Sequence, residues 1–273
     1  MNNSAFHTQG AGFSQNILQR FSRRAACYDR QALLQRAIAW RLAHWVQRLE
    51  LPPGPCADLG AGTGLLGQAL QEQPAHSIVS AEALLQLDFC PELLAHNPLP
   101  RQHTWNLESG LPPELEGAAL LTSSFALQWL SEPAGRLKYW CTALRPAGWL
   151  VLAVPTAASF PQWRQAAARA GVPCTALALP SASELINASA PLLSLLQVKR
   201  LHFHRRYGDG LHFLSQLSRL GAGASPSGPL RPGELRKLLA AWPTDGVVSW
   251  EVLMLVGQRR GASPACSAHV SNP

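Results

Sequence analysis

The chain has 273 residues, 47% of them hydrophobic, with a formal net charge of +7. That length suits one enlarged α/β domain or a domain with a lid, and no apolar run approaches the ~18 residues of a membrane-spanning helix. Six dispersed cysteines without a C-x-x-C pair, and a start (Met1-Asn2-Asn3-Ser4) without a basic-then-apolar leader, set the expectation of reduced thiols in a cytoplasmic protein.

Residues 14–49 place apolar side chains at helical spacing (Leu33, Ile38, Leu42, Trp45, Leu49) until Pro52-Pro53-Gly54-Pro55 stops the helix. Cys56 to Leu59 reads as a first strand and Leu65 to Gln73 as a helix. Leu84 to Leu87 reads as a second strand ending at Asp88, with Pro91 opening a short helix. Weak strand character follows at 102–105 and a clear apolar run at 118–122. Then come a helix with Trp129, another over 132–144 and a fifth strand over 149–154. Such alternation builds a parallel sheet with helices on both faces. Residues 156–196 are Ala-rich and read as mostly helical, 197–207 as a strand, and 211–220 and 231–242 as helices around a Gly/Ser/Pro loop. Residues 247–256 read as a closing strand. The expected organisation is therefore an N-terminal helical cap (1–50), a ligand-binding core (51–155), a substrate or lid segment (156–246), a closing strand (247–260) and a disordered tail (261–273).

The segment that points most directly to chemistry is Asp58-Leu59-Gly60-Ala61-Gly62-Thr63-Gly64, a strand running through a glycine turn into a helix. Gly60, Gly62 and Gly64 let a ligand approach bare backbone. The Asp58 carboxylate disfavours a pyrophosphate and suits a ligand with ammonium and sulfonium groups, as in S-adenosylmethionine (SAM). The rival is a nicotinamide dinucleotide: Gly62 to Gly67 spells G-x-G-x-x-G, and Glu82 follows about 20 residues on. Against it, an acid would sit beside phosphates that a helix N-terminus otherwise attracts. Asp88, at the end of the second strand, is placed to accept both ribose hydroxyls. It comes late, 24 residues after Gly64, so Glu82 competes for the role and His76–Ala83 reads as an insertion.

Loops beyond the carboxyl ends of the strands supply the other candidates. Asn106 and Leu107 suit an adenine edge and ring, or form an ordinary turn. Ser123, Gln128 and Trp129 stand where a reacting methyl would be walled in, with Trp129 also a plausible core residue. Phe21 and Tyr28 are cap or core aromatics. His202 and His204 share a strand face, but no further ligands accompany them and no metal is expected. Charge is uneven: residues 1–50 carry seven Arg and two acids, 195–240 eight Lys or Arg and two acids, and 51–194 six bases and ten acids. Basic flanks around an acidic core suit an acidic partner or serve solubility alone. Nucleic acid is not expected, because basic residues do not interleave with aromatics as on a stacking surface.

Together these pieces resemble the class I SAM-dependent methyltransferases, and more narrowly the malonyl-[acyl carrier protein] O-methyltransferases of biotin synthesis. The narrower match rests on Phe21 to Tyr28 with Gln35, Ser124 to Trp129, Leu217 to Ala222 and Ser249 to Gly257. Departures are Leu144-Arg145-Pro146-Ala147-Gly148 before the fifth strand and Asn106 where such enzymes often have Asp. The resemblance implies a Rossmann-like, mostly parallel seven-stranded sheet with a helical lid, probed by SAM at Tyr28, Asp58, Gly60, Gly62, Gly64, Asp88, Asn106, Leu107 and Ser123. It implies methylation of a malonyl thioester carboxylate on acyl carrier protein, with Phe21, Gln128, Trp129 and Arg219 at the substrate. Arg219 is expected to hold the carboxylate, and Arg200, Arg205 and Arg206 to dock the carrier. A monomer is expected. Another small-molecule acceptor, such as a quinone precursor, and a non-catalytic RNA-binding role are the competing readings.

Overall fold

Short apolar runs alternating with helices become a parallel sheet because each run is buried on both faces. The computed structural model describes residues 4–73, 80–225 and 228–261, with side chains from residue 12 onward. Residues 76–79 of the expected insertion and the expected tail after 261 lie outside the described residues. The N-terminal segment forms α1 (Ser4–Ser22), a 3₁₀ turn, α2 (Tyr28–Gln31) and α3 (Leu33–Val46), broken at Ala32. The core follows as β1 (Cys56–Leu59), α4 (Leu65–Glu72), β2 (Leu85–Asp88), α5 (Pro91–Leu94), β3 (Gln102–Thr104), β4 (Ala118–Ser124), α6 (Pro133–Ala143) and β5 (Leu144–Pro155). Then come α7 (Pro161–Ala170), α8 (Ala182–Ser189), β6 (Leu193–Arg206), α9 (Gly210–Arg219), α10 (Pro232–Ala240) and β7 (Val247–Arg259).

The seven strands lie in the order β3-β2-β1-β4-β5-β7-β6. The first five are parallel, and β7 runs antiparallel between β5 and β6. Strand alternation splits the core into two layers. On one face, Val151, Ala153, Val252 and Met254 pack under Ile38, Leu42 and Val46 of α3 and Leu66 and Leu70 of α4. On the other, Leu150, Leu152, Leu253 and Leu255 meet Leu137 and Trp140 of α6 and Leu185 of α8. A third cluster joins α7, α9 and α10 through Trp163, Phe213, Leu238 and Trp242.

The stretch expected to be mostly helical over 156–196 is interrupted. Gly171 ends α7 in the left-handed conformation (φ 61°), and Val172 N–H donates back to Ala167 O. Pro173 and Pro180 then hold the chain extended up to α8. Strand β6 begins at Leu193, four residues before the alternation suggests, because buried Leu193 packs in the layer under α6 and α8.

Candidate active site

The site is built at the carboxyl ends of β1, β2 and β4, where the strand order reverses about β1. Gly60 and Ala61 N–H both donate to Leu87 O at 2.8 Å, which folds the glycine turn over the end of β2. Gly60 needs its left-handed φ of 76°, and a Cβ there would collide with Ala126. Gly62 N–H donates to Asp88 Oδ2 and Cys90 N–H to Asp88 Oδ1, each at 2.8 Å. Those donors fix the carboxylate while its oxygens, with up to two lone pairs each, keep accepting capacity for a ligand. Thr122 Oγ1 donates to Asp58 Oδ1 at 2.9 Å. Thr63 Oγ1 donates to Asp29 Oδ1 at 2.6 Å, tying the turn to α2.

These residues line a cleft enclosing about 930 Å³, open solvent at its mouth included. Tyr28, Asp58, Gly60, Gly62, Asp88, Asn106, Leu107, Phe21 and Trp129 all face it. Glu82 does not: it is exposed and caps its own turn with Ser80. Gly64 sits behind the cleft as the left-handed N-cap of α4, φ 79°. Ser123 is fully buried with its hydroxyl donated to Leu59 O, so its neighbour Ser124 takes the place at the wall. Asn106 Oδ1 accepts from Glu108 N–H, which leaves its amide N–H₂ for a ligand. Among the described residues the cleft lining contains Asp58, Asp88 and Glu108 and no Lys or Arg. Burial pushes Asp58 up to about 7, with Asp88 adding repulsion, and burial pushes Asp88 up to about 6. Burial and the two nearby aspartates, Asp88 and Asp29, also raise the Tyr28 phenol above its usual range. Two desolvated carboxylates without a cation of their own form a site for a cationic ligand and a poor one for a pyrophosphate.

A second cavity of about 610 Å³ adjoins the first. The two share Phe21, Tyr28, Gln35, Phe125 and Trp129 as a common wall. Phe21 meets Trp129 and Tyr28 edge-to-face, with ring centroids 5.7 and 6.1 Å apart. Phe125 adopts φ 56°, and the Gln128 amide donates to its carbonyl at 2.6 Å, holding that unfavoured turn. Gln128 thus serves the wall by positioning Phe125. Phe160 (φ 58°), Trp163 and Trp250 complete the far side. Sequence reading missed the first two: aromatic spacing after β5 hints at them, but a left-handed Phe leaves no signal.

Arg219 stands elsewhere than expected. On α9, Leu217 and Leu220 face the second cavity, and Arg219, 200° around the helix from Leu217, points outward and lies exposed. It lines a surface groove with Arg205 and Arg206. Arg200, five residues before Arg205 on β6, points to the opposite face of that strand. His202 and His204 hydrogen-bond across to Glu251 and Ser249 of β7 at 3.0 and 2.9 Å.

Strand order, glycine turn and acidic cleft together define a Rossmann-like class I methyltransferase. The fold is shared with the YcgJ protein of Bacillus subtilis, 14% identical, which superposes with a TM-score of 0.54 over 82% of this chain and 99% of that one. No protein-family model matches the chain. By sequence it is similar to the biotin biosynthesis bifunctional protein BioCD of Bordetella avium, 33% identical over 242 residues, 85% of this chain and 49% of that protein. It is also similar to the malonyl-[acyl-carrier protein] O-methyltransferase of Magnetococcus marinus, 30% identical over 228 residues, 80% of this chain and 82% of that one. The chain thus spans about half the length of the bifunctional relative and most of the single-function one. It belongs to the malonyl-[acyl-carrier protein] O-methyltransferase family.

Proposed function

We propose that the protein methylates the free carboxylate of a malonyl thioester borne by acyl carrier protein, starting the pimeloyl chain of biotin. The observation that carries this reading is the pair of cavities with one common wall: an acidic cleft on one side, an uncharged aromatic chamber on the other. SAM fits the cleft, with Asp88 for its ribose, Asn106 and Leu107 for its adenine, and Asp58 near its cationic end. When bound, SAM supplies a methyl group on a positively charged sulfur.

The chain's own residues align and dehydrate. A malonyl carboxylate is already ionised at neutral pH and needs no base. The common wall of Phe21, Phe125 and Trp129 keeps water from the line between the two sites. As the carboxylate oxygen accepts the methyl, opposite charges disappear, and weakly polar surroundings favour that transition state over the separated ions. A guanidinium gripping the carboxylate would favour the ground state instead. The absence of Lys and Arg from the described lining of the second cavity, and the outward Arg219, agree with this. The methyl ester hides the charge, so chain-elongating enzymes accept the product as an ordinary acyl group. Arg205 and Arg206 on the rim suit an acidic carrier.

Intact-mass spectrometry of malonyl-acyl carrier protein after incubation with the protein and SAM tests the reading. We expect one added methyl that depends on the malonyl group. No addition, with SAM binding intact by calorimetry, would move the acceptor to another small molecule.

A further inference from the structure

The second cavity adjoins another on its outer side. It shares Gln35, Leu217, Leu220 and Trp250 with an outer cavity of about 850 Å³ between α3 and α9. That outer cavity shares Arg205, Tyr207 and Gln216 with a surface groove of about 730 Å³ that also holds Arg206 and Arg219. Resting on the carrier-bound substrate proposed above, we propose that the carrier's phosphopantetheine arm threads this series of cavities. In this proposal Arg205, Arg206 and Arg219 form the rim that receives the arm's phosphate and the acidic carrier surface around it.

The chemistry along the path matches such an arm from end to end. Among the described residues none of the three rim arginines pairs with a carboxylate, so their charge is free for an anion. Arg205 is held by cation–π contact, its guanidinium carbon 5.1 Å from the Tyr207 ring centroid. The neighbouring Asp209 carboxylate is occupied, accepting from His212 N–H at the start of α9. Leu33 and Leu211 flank the opening and are 55% and 51% exposed, which gives a partner apolar contacts between the charges. Inside, Gln35 faces all three cavities and offers an amide to the amides of the arm. The Gln31–Gln216 hydrogen bond, 2.8 Å, joins α2 to α9 beside the path. Deeper still, the lining carries no charge, as a thioester and a carboxylate losing its charge require.

A competing opening exists. The second cavity also shares Trp163, Leu217 and Gly223 with a groove containing Arg20. Arg20 Nε already donates to Asn16 Oδ1 at 2.8 Å, and Arg20 is the single base among the described residues of that lining, so the three-arginine mouth is the better match to a phosphate.

The test compares three acceptors, malonyl-carrier, malonyl-phosphopantetheine and malonyl-pantetheine, with the full-length protein and the variants R205E/R219E and R20E. SAM affinity by calorimetry serves as the control for folding. For R205E/R219E we expect kcat/KM on malonyl-carrier to fall about tenfold or more relative to malonyl-pantetheine, with the phosphorylated arm falling more than the dephosphorylated one. R20E should leave these ratios as in the parent protein. Equal losses on all three acceptors, or a larger selective loss in R20E, would overturn the route. If the parent protein methylates none of the three, the carrier-substrate reading itself fails.

Discussion

Asp58 and Asp88 are 2% and 6% exposed, with ordinary values near 3.8 raised to about 7 and about 6 in the fold. Between pH 4 and 7 the folded protein therefore holds more protons at these groups than the unfolded chain does. Their contribution to stability is largest at low pH and is lost as pH rises through 6 to 7. A cationic ligand reverses the balance by favouring both ionised forms. SAM affinity should rise through pH 6–7 and level off above it, with protons released on binding in that window. Calorimetry in buffers of different ionisation enthalpy measures both, and Asp58→Asn should flatten the rise. Asp88→Ala should weaken SAM binding by about 10- to 100-fold, the scale of losing hydrogen bonds to a charged group, and Glu82→Ala should change it little. An equal loss in both would reassign the ribose ligand.

Helices α1 and α2 belong to the site as much as the sheet does. Ile17 and Phe21 pack on Cys90 and Leu93 from the loop after β2 and α5, and Ser22 Oγ donates to Glu92 Oε2 at 2.6 Å. The Thr63–Asp29 bond is the matching tie at the glycine turn. Thr63→Val should weaken SAM binding about tenfold while leaving global stability nearly unchanged, as titration with SAM beside a urea melt would show. By contrast, Trp140→Ala, at a fully buried position of α6, should cost about 3–5 kcal/mol of stability by the same melt. Strands β1, β2, β4 and β5 were legible because doubly covered parallel strands read as apolar runs, whereas the edge strand β3 (Gln-His-Thr) is polar and half-exposed and gave only a weak signal; the glycine turn was legible because only glycine suits its φ. Asp88 was legible as a strand-end carboxylate, but choosing it over Glu82 required knowing which one faces the cleft. The second cavity was not legible. It is assembled from Phe125, Phe160, Trp163 and Trp250, residues of three separate segments, two of them in backbone conformations that no Phe side chain advertises. The outward direction of Arg219 follows from helix phase against Leu217 and Leu220, but only once the cavity those leucines face is known.

Charge is distributed over the whole molecule as function would use it. Three of the ten acids of the 51–194 core, Asp58, Asp88 and Glu108, line the cleft, and three of the six arginines of 195–240, Arg205, Arg206 and Arg219, line the rim groove. Steering between such a rim and an acidic partner is screened over about 8 Å at physiological salt. Turnover of malonyl-carrier should therefore fall as salt is raised, while turnover of malonyl-pantetheine should not, in parallel initial-rate assays. No described helix is long and apolar enough to cross a membrane.

The position of β7 also orders how the molecule comes into being. It is last in sequence yet lies between β5 and β6, so β6 has no partner strand until residues near 250 have been made. Every described residue lining the cofactor cleft lies between 14 and 130, whereas the second cavity needs Trp250. On the ribosome, where chains emerge from the amino end and fold in pieces, the cleft can take shape while the second cavity and the arginine groove are still missing. A nascent chain is thus complete for one ligand before it is complete for the other. A chain ending before β7 exposes the edge of β5 and a 14-residue unpaired strand, which makes it a substrate for chaperones and aggregation.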